Sequence, residues 1–242
     1  MRPRIALVAV ALAAGALAPP ASSSSSTNRI PPGFTVVVYA NTGGTASSLA
    51  FGKDTREGAD RSAQRLYVTD FVGDRVVVID DAAGQGTTVS TFADGFSGPL
   101  GVVGGSDGSL YVADAESTRS GPFGSRPYGR VWRVRDTNGD GVADKKTVVL
   151  KDLPNGRHNT NGMAFGPDGM LYVTNGNSTD DGVEGGQPEV VPWSGSVIRV
   201  NPNAKGVSLA DLPRGKTLVA YGFRNVYDLA FSPLDRSRVF IP

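Results

Sequence analysis

A short motif recurs four times along this chain, and internal repetition constrains the fold more than any other feature of the sequence. Each copy ends in an apolar segment that continues, after a turn, into a second apolar segment. The four copies are GTASSLAF (44–51), FSGPLGVV (96–103), HNTNGMAF (158–165) and RNVYDLAF (224–231). The second segments are RLYVTD (65–70), SLYVAD (109–114), MLYVTN (170–175) and RVFIP (238–242). The pattern predicts an array of similar supersecondary units packed side by side.

The apolar segments have the composition of β-strands, because they are rich in Val, Ile, Tyr, Thr and Phe. No stretch keeps a helical periodicity, and turn sequences such as Gly-Pro-Asp-Gly (166–169) and Ser-Asp-Gly (106–108) separate the segments. Each repeat supplies an inner strand, its hairpin partner and two further strands. The sequence therefore predicts an all-β protein, a β-propeller with four-stranded blades.

The spacing of the repeats sets the size of the predicted ring. Equivalent positions in the four copies are about 60 residues apart, so a six-bladed ring would take roughly 360 residues, within the usual range of blade numbers. Residues 30–242 supply about three and a half such blades. Because an open propeller exposes strand edges, we expect this chain to be incomplete at its C-terminal end.

The N-terminal segment has the features of an export signal. Arg2 and Arg4 precede an apolar run from Ile5 to Ala18, and small residues follow as far as Ala21. This run is shorter than the roughly 20 residues of a membrane-spanning helix. We therefore expect a secreted or periplasmic protein without a membrane span. The predicted division is a signal peptide over 1–21, a Ser-rich linker over 22–29 and the propeller domain over 30–242.

The composition limits the possible partners and the means of stabilisation. The formal net charge of +1 gives no electrostatic reason to expect nucleic acid or an anionic membrane as a partner. The chain contains no cysteine, so no disulfide framework supports the exported protein. The hydrophobic core alone has to hold the fold.

Antiparallel connectivity assigns the loops of each blade to two opposite faces. The segment before each inner strand shares a face with the loop between the second and third strands. His158, Asn159, Arg224 and Asn225 directly precede inner strands, so we expect them to meet at the mouth of the central channel. The two longest insertions belong to the same face, as is typical of a working surface on a rigid scaffold.

Two of these residues carry chemistry that suits a catalytic site. His158 is the only histidine of the chain, and a neutral imidazole takes up a proton near physiological pH. The guanidinium of Arg224 and the amide of Asn225 suit carboxylates or carbonyl oxygens. Taken alone, the residues equally allow a surface histidine in a polar loop and a structural arginine that ties neighbouring blades together.

Two oxygen-rich segments are candidate metal sites. The first resembles half of a calcium-binding EF-hand loop, with Asp136, Asn138, Asp140 and Asp144 as candidate ligands. However, Thr147 stands where the bidentate glutamate is required, and strands flank the segment. We interpret it as a polar hairpin on the face opposite the histidine, where it could hold a structural calcium.

The second oxygen-rich segment lies on the histidine's face and contains Asn177, Asp180 and Asp181. These side chains either bind a metal or order the insertion through turn hydrogen bonds, and the sequence leaves both possibilities open.

The runs HNTNGMAFGPDGMLYVTNGN, SGSVIRVNP and YGFRNVYDLAFSP resemble the soluble quinoprotein glucose and sorbosone dehydrogenases. These are six-bladed propellers that oxidise aldoses with pyrroloquinoline quinone (PQQ) and calcium. The resemblance implies a sugar substrate and a separate electron acceptor. It implies that His158 is the base for the anomeric hydroxyl, and that Arg224 and Asn225, with Asn159 beside the base, contact the quinone.

The resemblance has departures. Asn177 stands where the family has an acidic residue near the base, and Ser47 and Ser48 replace a larger polar side chain. Because the later blades are absent, we expect the chain over 1–242 to be an inactive fragment of the enzyme. One alternative is a non-catalytic NHL-like propeller that binds a ligand or protein. A weaker alternative is a lactonase-type hydrolase, which requires channel carboxylates in several blades.

Overall fold

The computed structural model describes residues 7–9, 31–60, 62–80, 88–115, 128–156, 158–178, 183–184, 187–188 and 192–242. Strand β1 (Leu7–Ala9) falls within the predicted signal peptide and pairs in parallel with β2 (Val36–Val38). The rest of the predicted signal peptide, and the Ser-rich linker, lie outside the described residues. Within the described ranges the structure is almost entirely β, and the prediction of the fold class is confirmed.

The first blade is an antiparallel four-stranded sheet in the order β3-β4-β5-β6. Its strands are β3 (Ala46–Lys53), β4 (Gln64–Asp70), β5 (Arg75–Asp80) and β6 (Thr88–Ala93). The two middle strands are buried along nearly their whole length. Burial on both faces explains why these strands read as continuous apolar runs rather than as alternating patterns.

The second blade has the strand order β7-β8-β9-β10. Its strands are β7 (Pro99–Gly104), β8 (Leu110–Asp114), β9 (Tyr128–Arg135) and β10 (Lys145–Pro154). A two-residue strand from later in the chain, Val207–Ser208, extends this sheet in parallel beyond β10. The outer edge of the second blade is thereby covered by a segment of the third repeat.

The third blade has the order β11-β12-β15-β17, and a two-stranded pair begins a fourth unit. The strands of the third blade and the short elements around them are β11 (Thr160–Phe165), β12 (Leu171–Asn175), β13 (Val183–Glu184), β14 (Gln187–Pro188), β15 (Ser196–Val200), β16 (Val207–Ser208), a 3₁₀ helix (Leu209–Asp211), α1 (Arg214–Thr217) and β17 (Leu218–Tyr221). The fourth unit consists of β18 (Ala230–Phe231) and β19 (Val239–Phe240). None of the helices in the described ranges has the length and apolar character needed to cross a bilayer.

The core lies between the blades, and alternate residues of one strand enter different clusters. In β8, Leu110 and Val112 pack towards the first blade, whereas Tyr111 and Ala113 pack towards the third. Full burial of each large aliphatic side chain contributes about 1.5–3 kcal/mol. The side-by-side packing of the inner strands β3, β7 and β11 completes a partial propeller whose ring is not closed.

Aromatic pairs recur at the seams between blades. Tyr111 of the second blade meets Phe165 of the third edge to face, with 5.3 Å between the ring centroids. Tyr172 of the third blade meets Phe231 of the fourth unit in the same way, at 4.9 Å. Each pair joins the second strand of one repeat to the inner strand of the next, so the repeated sequence is matched by a repeated contact.

A second recurring contact involves the polar residue that ends the second strand in each of the first three repeats. Asp70 accepts a hydrogen bond of 2.9 Å from the Thr45 N–H, and Asp114 accepts one of 2.9 Å from the Ser97 N–H. In the third repeat, the Oδ1 of Asn175 accepts a bond of 2.9 Å from the Thr160 hydroxyl. We call Asp70, Asp114 and Asn175 the strand-end anchors. All three are buried, and each fixes the segment that leads into an inner strand.

Asp70 stabilises its part of the fold as a charged group. Burial by itself would raise the pKa of the carboxyl, but hydrogen bonds from the Thr45 and Gly73 N–H groups and from Arg75 outweigh it. The pKa of Asp70 is therefore held below its ordinary value. A group of this kind contributes stability above its unfolded-state pKa, and the contribution is lost as the pH falls through the folded-state pKa.

The variant Asp70→Asn keeps the shape of this side chain and removes its charge. We expect it to lower the free energy of unfolding by about 2 kcal/mol at pH 7, because a buried charge-assisted network is lost. The difference from wild type should shrink once the pH falls below about 3.9, the ordinary pKa of aspartate. Denaturant unfolding measures the free energy of unfolding of the variant and the wild type at neutral and at acidic pH. The exposed Asp211→Asn is the charge-matched control. A loss that does not shrink at acidic pH would contradict the assignment.

Candidate functional site

The segments that precede the inner strands meet at one end of the partial propeller. The Ser47 hydroxyl donates to the Pro99 carbonyl at 2.9 Å, which joins the first copy of the motif to the second. Gly101 lies so close to the third copy that a Cβ there would be 1.9 Å from the carbonyl oxygen of Asn161. The Nδ2 of Asn161 donates to the Oδ1 of Asn225 at 2.9 Å and so reaches the fourth copy. Each copy therefore contacts the next.

His158 is half-buried, and one side chain from the end of the neighbouring strand fixes its ring. The Nδ1 of His158 lies 2.6 Å from the Oδ1 of Asn177. An amide oxygen only accepts hydrogen bonds, so in the neutral imidazole the proton lies on Nδ1 and the lone pair on Nε2. The sequence placed Asn177 near the base only through a family resemblance, and the structure shows the contact directly.

The same asparagine joins the histidine to the fourth repeat. The Asn177 N–H donates to the Arg224 carbonyl at 2.6 Å. Its neighbour Gly176 lies between the two segments: a Cβ at this position would be 2.5 Å from the Cβ of His158 and 3.2 Å from the Oδ1 of Asn225. Glycine is required here because backbone and side chains approach from both sides. The structure thus brings His158 and the Arg224–Asn225 pair together.

The remaining residues of the predicted site lie in the same region. Arg224 is exposed, and Asn225 is half-buried. Asn159 is half-buried too, with its Oδ1 3.4 Å from the Gly156 N–H and its carbonyl accepting from the Gly176 N–H at 2.8 Å. Their contacts with a quinone stay predictions.

The predicted metal ligands on the histidine's face are not assembled among the described residues. The Oδ1 of Asn177 is engaged by His158, and Asp180 and Asp181 lie outside the described residues. Nowhere in the described part of the chain do three histidine, cysteine, aspartate or glutamate side chains form a group suited to a metal ion.

The EF-hand-like segment forms a turn that uses its carboxylates internally. Asp136 accepts from the Gly139 and Gly141 N–H groups at 2.7 and 3.0 Å, and from the Thr55 hydroxyl at 2.8 Å. Thr137 donates twice to Asp144, and these hydrogen bonds lower the pKa of that carboxyl.

Asn138 and Asp140 hydrogen-bond to each other within the same turn. Thr55 lies in the hairpin that follows β3, so the turn lies at the end opposite His158, as the alternation of loops predicts. A structural calcium at this turn stays a prediction.

A cavity of about 450 Å³ lies between the inner strands. The polar residues in its wall are Thr45, Ser47, Ser48, Asn161, Tyr227 and Asp228. Most of these residues occupy the fourth and fifth positions of the repeated motif, whereas the predicted catalytic residues occupy the first two positions. Asn161 and Asp228 were missed as site residues, although their places in the aligned repeats were a signal that could have found them.

A scan of protein families matches residues 54–221 to a family described as a domain of unknown function, DUF7133. The match covers more than half of the chain, so the chain belongs to this family. A search of curated proteins returned no match.

Solved structures with the same fold include PQQ-related sugar dehydrogenases. The PQQ-bound aldose sugar dehydrogenase of Streptomyces coelicolor is 23% identical with a TM-score of 0.56, over 82% of this chain and 56% of that one. A glucose dehydrogenase of Thermus thermophilus is 23% identical with a TM-score of 0.55, over 80% and 55%. The PQQ domain of a Coprinopsis cinerea pyranose dehydrogenase gives 12% and 0.58, over 81% and 43%.

These likenesses define the class of fold, a propeller of the kind found in soluble sugar dehydrogenases. The chain spans about half of the length of these solved structures. The expected family resemblance is thus confirmed at the level of the fold.

The single histidine makes its hydrogen bond directly measurable. In long-range ¹H–¹⁵N NMR spectra of the neutral imidazole we expect a proton on Nδ1 and a lone pair on Nε2, because the Asn177 oxygen accepts from Nδ1. In Asn177→Ala the acceptor is gone, and the signals should move towards a mixture of the two neutral forms. Asn138→Ala, in the distant turn, is the control and should leave them unchanged. An Nε2-protonated ring in the wild type would contradict the site geometry.

Proposed function

We propose that this chain is part of an exported sugar dehydrogenase that uses PQQ and calcium, with His158 as its general base. The observation that carries the proposal is the contact of Asn177 with both His158 and the Arg224 backbone at one end of the propeller. The shared fold with solved PQQ-related dehydrogenases supports the same class. The proposed division into signal peptide, linker and propeller follows the sequence prediction.

His158 would take the proton of the substrate hydroxyl on Nε2. Asn177 holds the ring by accepting from Nδ1, so the neutral imidazole keeps its lone pair on Nε2. Half-burial of the imidazole limits the number of ring orientations, and Gly176 packs against its Cβ. Positioning of this kind keeps the base in the geometry that a proton transfer requires.

The residues at this end of the propeller fit a flat polycarboxylate cofactor. Arg224 supplies an exposed positive charge, and Asn225 and Asn159 supply amide groups beside it. Arginine suits carboxylates because its planar guanidinium donates two parallel hydrogen bonds. When bound, PQQ supplies a two-electron oxidant, while the protein supplies position and electrostatics. At this end of the propeller the described residues include no group of three acidic or histidine side chains suited to a metal ion, so no step is assigned to calcium.

The proposed substrate is an aldose or a related sugar, because the proteins with similar structures include an aldose sugar dehydrogenase and a glucose dehydrogenase. It would reach the site as a small molecule and pass its electrons on to a separate acceptor. Each test uses the full-length protein, because the chain over 1–242 spans about half of the length of the similar structures.

Replacing the proposed base provides the first test. With PQQ, Ca²⁺ and aldoses, we expect His158→Ala to lower the rate of dye reduction by about 10³-fold, in the range usual for the loss of a general base. PQQ binding, followed by the quenching of tryptophan fluorescence, should stay within about threefold of wild type because the base does not hold the cofactor. Full activity in the variant would exclude the base assignment. A wild type that binds sugars but never reduces the dye would favour the non-catalytic propeller.

Replacing the proposed cofactor anchor provides the second test. We expect Arg224→Ala to weaken PQQ binding by at least about tenfold, because a charge-assisted hydrogen bond to a carboxylate is lost. Arg224→Lys should recover only part of the affinity, since lysine cannot form the two-pronged contact. Arg238→Ala, an exposed arginine that pairs with Asp235 outside the site, is the matched control. Equal PQQ affinities in Arg224→Ala, Arg224→Lys and Arg238→Ala would contradict the assignment of Arg224 to the cofactor site.

A further inference from the structure

The axial cavity between the inner strands has one charged residue in its wall. Among the described residues that line it, Asp228 alone carries a charge. A second, adjoining cavity of about 410 Å³ beside Ser47 and Ser48 is also lined by Asp228, again as the single charged residue of the described wall. Asp228 therefore sets the electrostatic character of both cavities.

Asp228 is exposed to the cavity opening, and a backbone hydrogen bond and a close contact with Gly162 position its carboxylate. Its Oδ1 accepts from the Leu229 N–H at 2.8 Å. A Cβ on Gly162 of the neighbouring strand would be 2.4 Å from the same oxygen, so this close approach requires a glycine. Within the described part of the chain, no donor is recorded for the other carboxylate oxygen.

Two further polar residues of the wall, Asn161 and Ser47, also present acceptors to a ligand. Asn161 uses its Nδ2 to donate to the Asn225 side chain and to the Val226 carbonyl, at 2.9 and 3.0 Å, which leaves its amide oxygen available. The single hydroxyl hydrogen of Ser47 has two acceptors within reach, the Thr69 hydroxyl and the Pro99 carbonyl, each at 2.9 Å, so the Ser47 oxygen presents lone pairs to a ligand. A ligand that contacts Asp228 and the amide oxygen of Asn161 must therefore bring hydrogen-bond donors, and a positive charge among them would be favoured.

We propose that the axial cavity binds an amino-substituted sugar or polyol, and that Asp228 is the residue that selects for its positive charge. A volume of about 450 Å³ is in the range of small-molecule sites. Hydroxyl and ammonium groups of such a ligand would donate to the Asp228 carboxylate and to the amide oxygen of Asn161. A sugar acid would place a carboxylate beside Asp228 and be rejected by like-charge repulsion.

This inference deepens the proposed function, and only its sugar part rests on it. The cavity reaches the base through a short chain of contacts: Asn161 bonds to Asn225, which lies beside Gly176, which packs on His158. The charge preference itself depends on Asp228 and not on PQQ or turnover. A test of binding therefore separates the two ideas.

Three methyl glycosides of the same ring form the test series: methyl glucosaminide is cationic, methyl glucoside neutral and methyl glucuronide anionic at pH 7. None carries a free anomeric hydroxyl, so none is oxidised there, and no cofactor is added. By calorimetric titration we expect the cationic glycoside to bind about tenfold more tightly than the neutral one, and the anionic glycoside to bind about tenfold more weakly.

The variant Asp228→Asn keeps the shape of the side chain and its acceptor for the Leu229 N–H. In this variant we expect the three affinities to agree within about threefold, because the charge that ranks them is gone. Asp211→Asn, exposed and outside the cavity wall, is the charge-matched control and should preserve the ranking. Thermal unfolding shows whether each variant is folded.

Equal affinities in the wild type, the failure of all three glycosides to bind, or a ranking that survives in Asp228→Asn would each overturn the inference. If dye reduction is absent but the charge ranking holds, the dehydrogenase proposal fails and the cavity assignment stands. If dye reduction depends on His158 but the ranking is absent, the reverse conclusion follows.

Discussion

The buried hydrogen bond at the end of each second strand is the constraint on which the rest of the structure depends. Asp70, Asp114 and Asn175 each reach back to the segment that leads into the inner strand of the same blade. The three acceptor side chains are buried, where an unpaired polar group is costly, so the segments have little freedom to move. Every candidate site residue at this end is carried by such a segment or by its neighbour.

The fold follows from the sequence to a large extent, because strand composition and repetition are local properties. The paired LYV segments of the first three repeats are buried on both sides, and their apolar runs show this directly. The alternation of loops between two faces also follows from antiparallel pairing alone. It correctly separates the turn at Asp136, which contacts Thr55, from the end that carries His158.

The candidate site is less accessible to sequence reasoning, since its geometry arises between repeats. The aligned motif brings out His158 and Arg224 as equivalent residues, but it does not show that Asn177 contacts both segments. The role of Gly176 depends on how closely two backbones approach, which no local pattern encodes. Asp228 is absent from the predicted site because that site was defined by the first two positions of the motif, whereas later positions form most of the cavity wall.

The central claim is that His158 and Arg224, one repeat apart, lie at the same end of the propeller axis. The absence of cysteine and the single histidine allow a direct measurement, the broadening of the His158 imidazole NMR signals by a nitroxide label on one introduced cysteine. A label at Arg224→Cys is predicted to broaden these signals strongly. A label at Ser106→Cys should leave them sharp, because Ser106 lies in the hairpin at the other end of the inner strands. Sharp histidine signals with the label at position 224, or stronger broadening from position 106, would contradict the account.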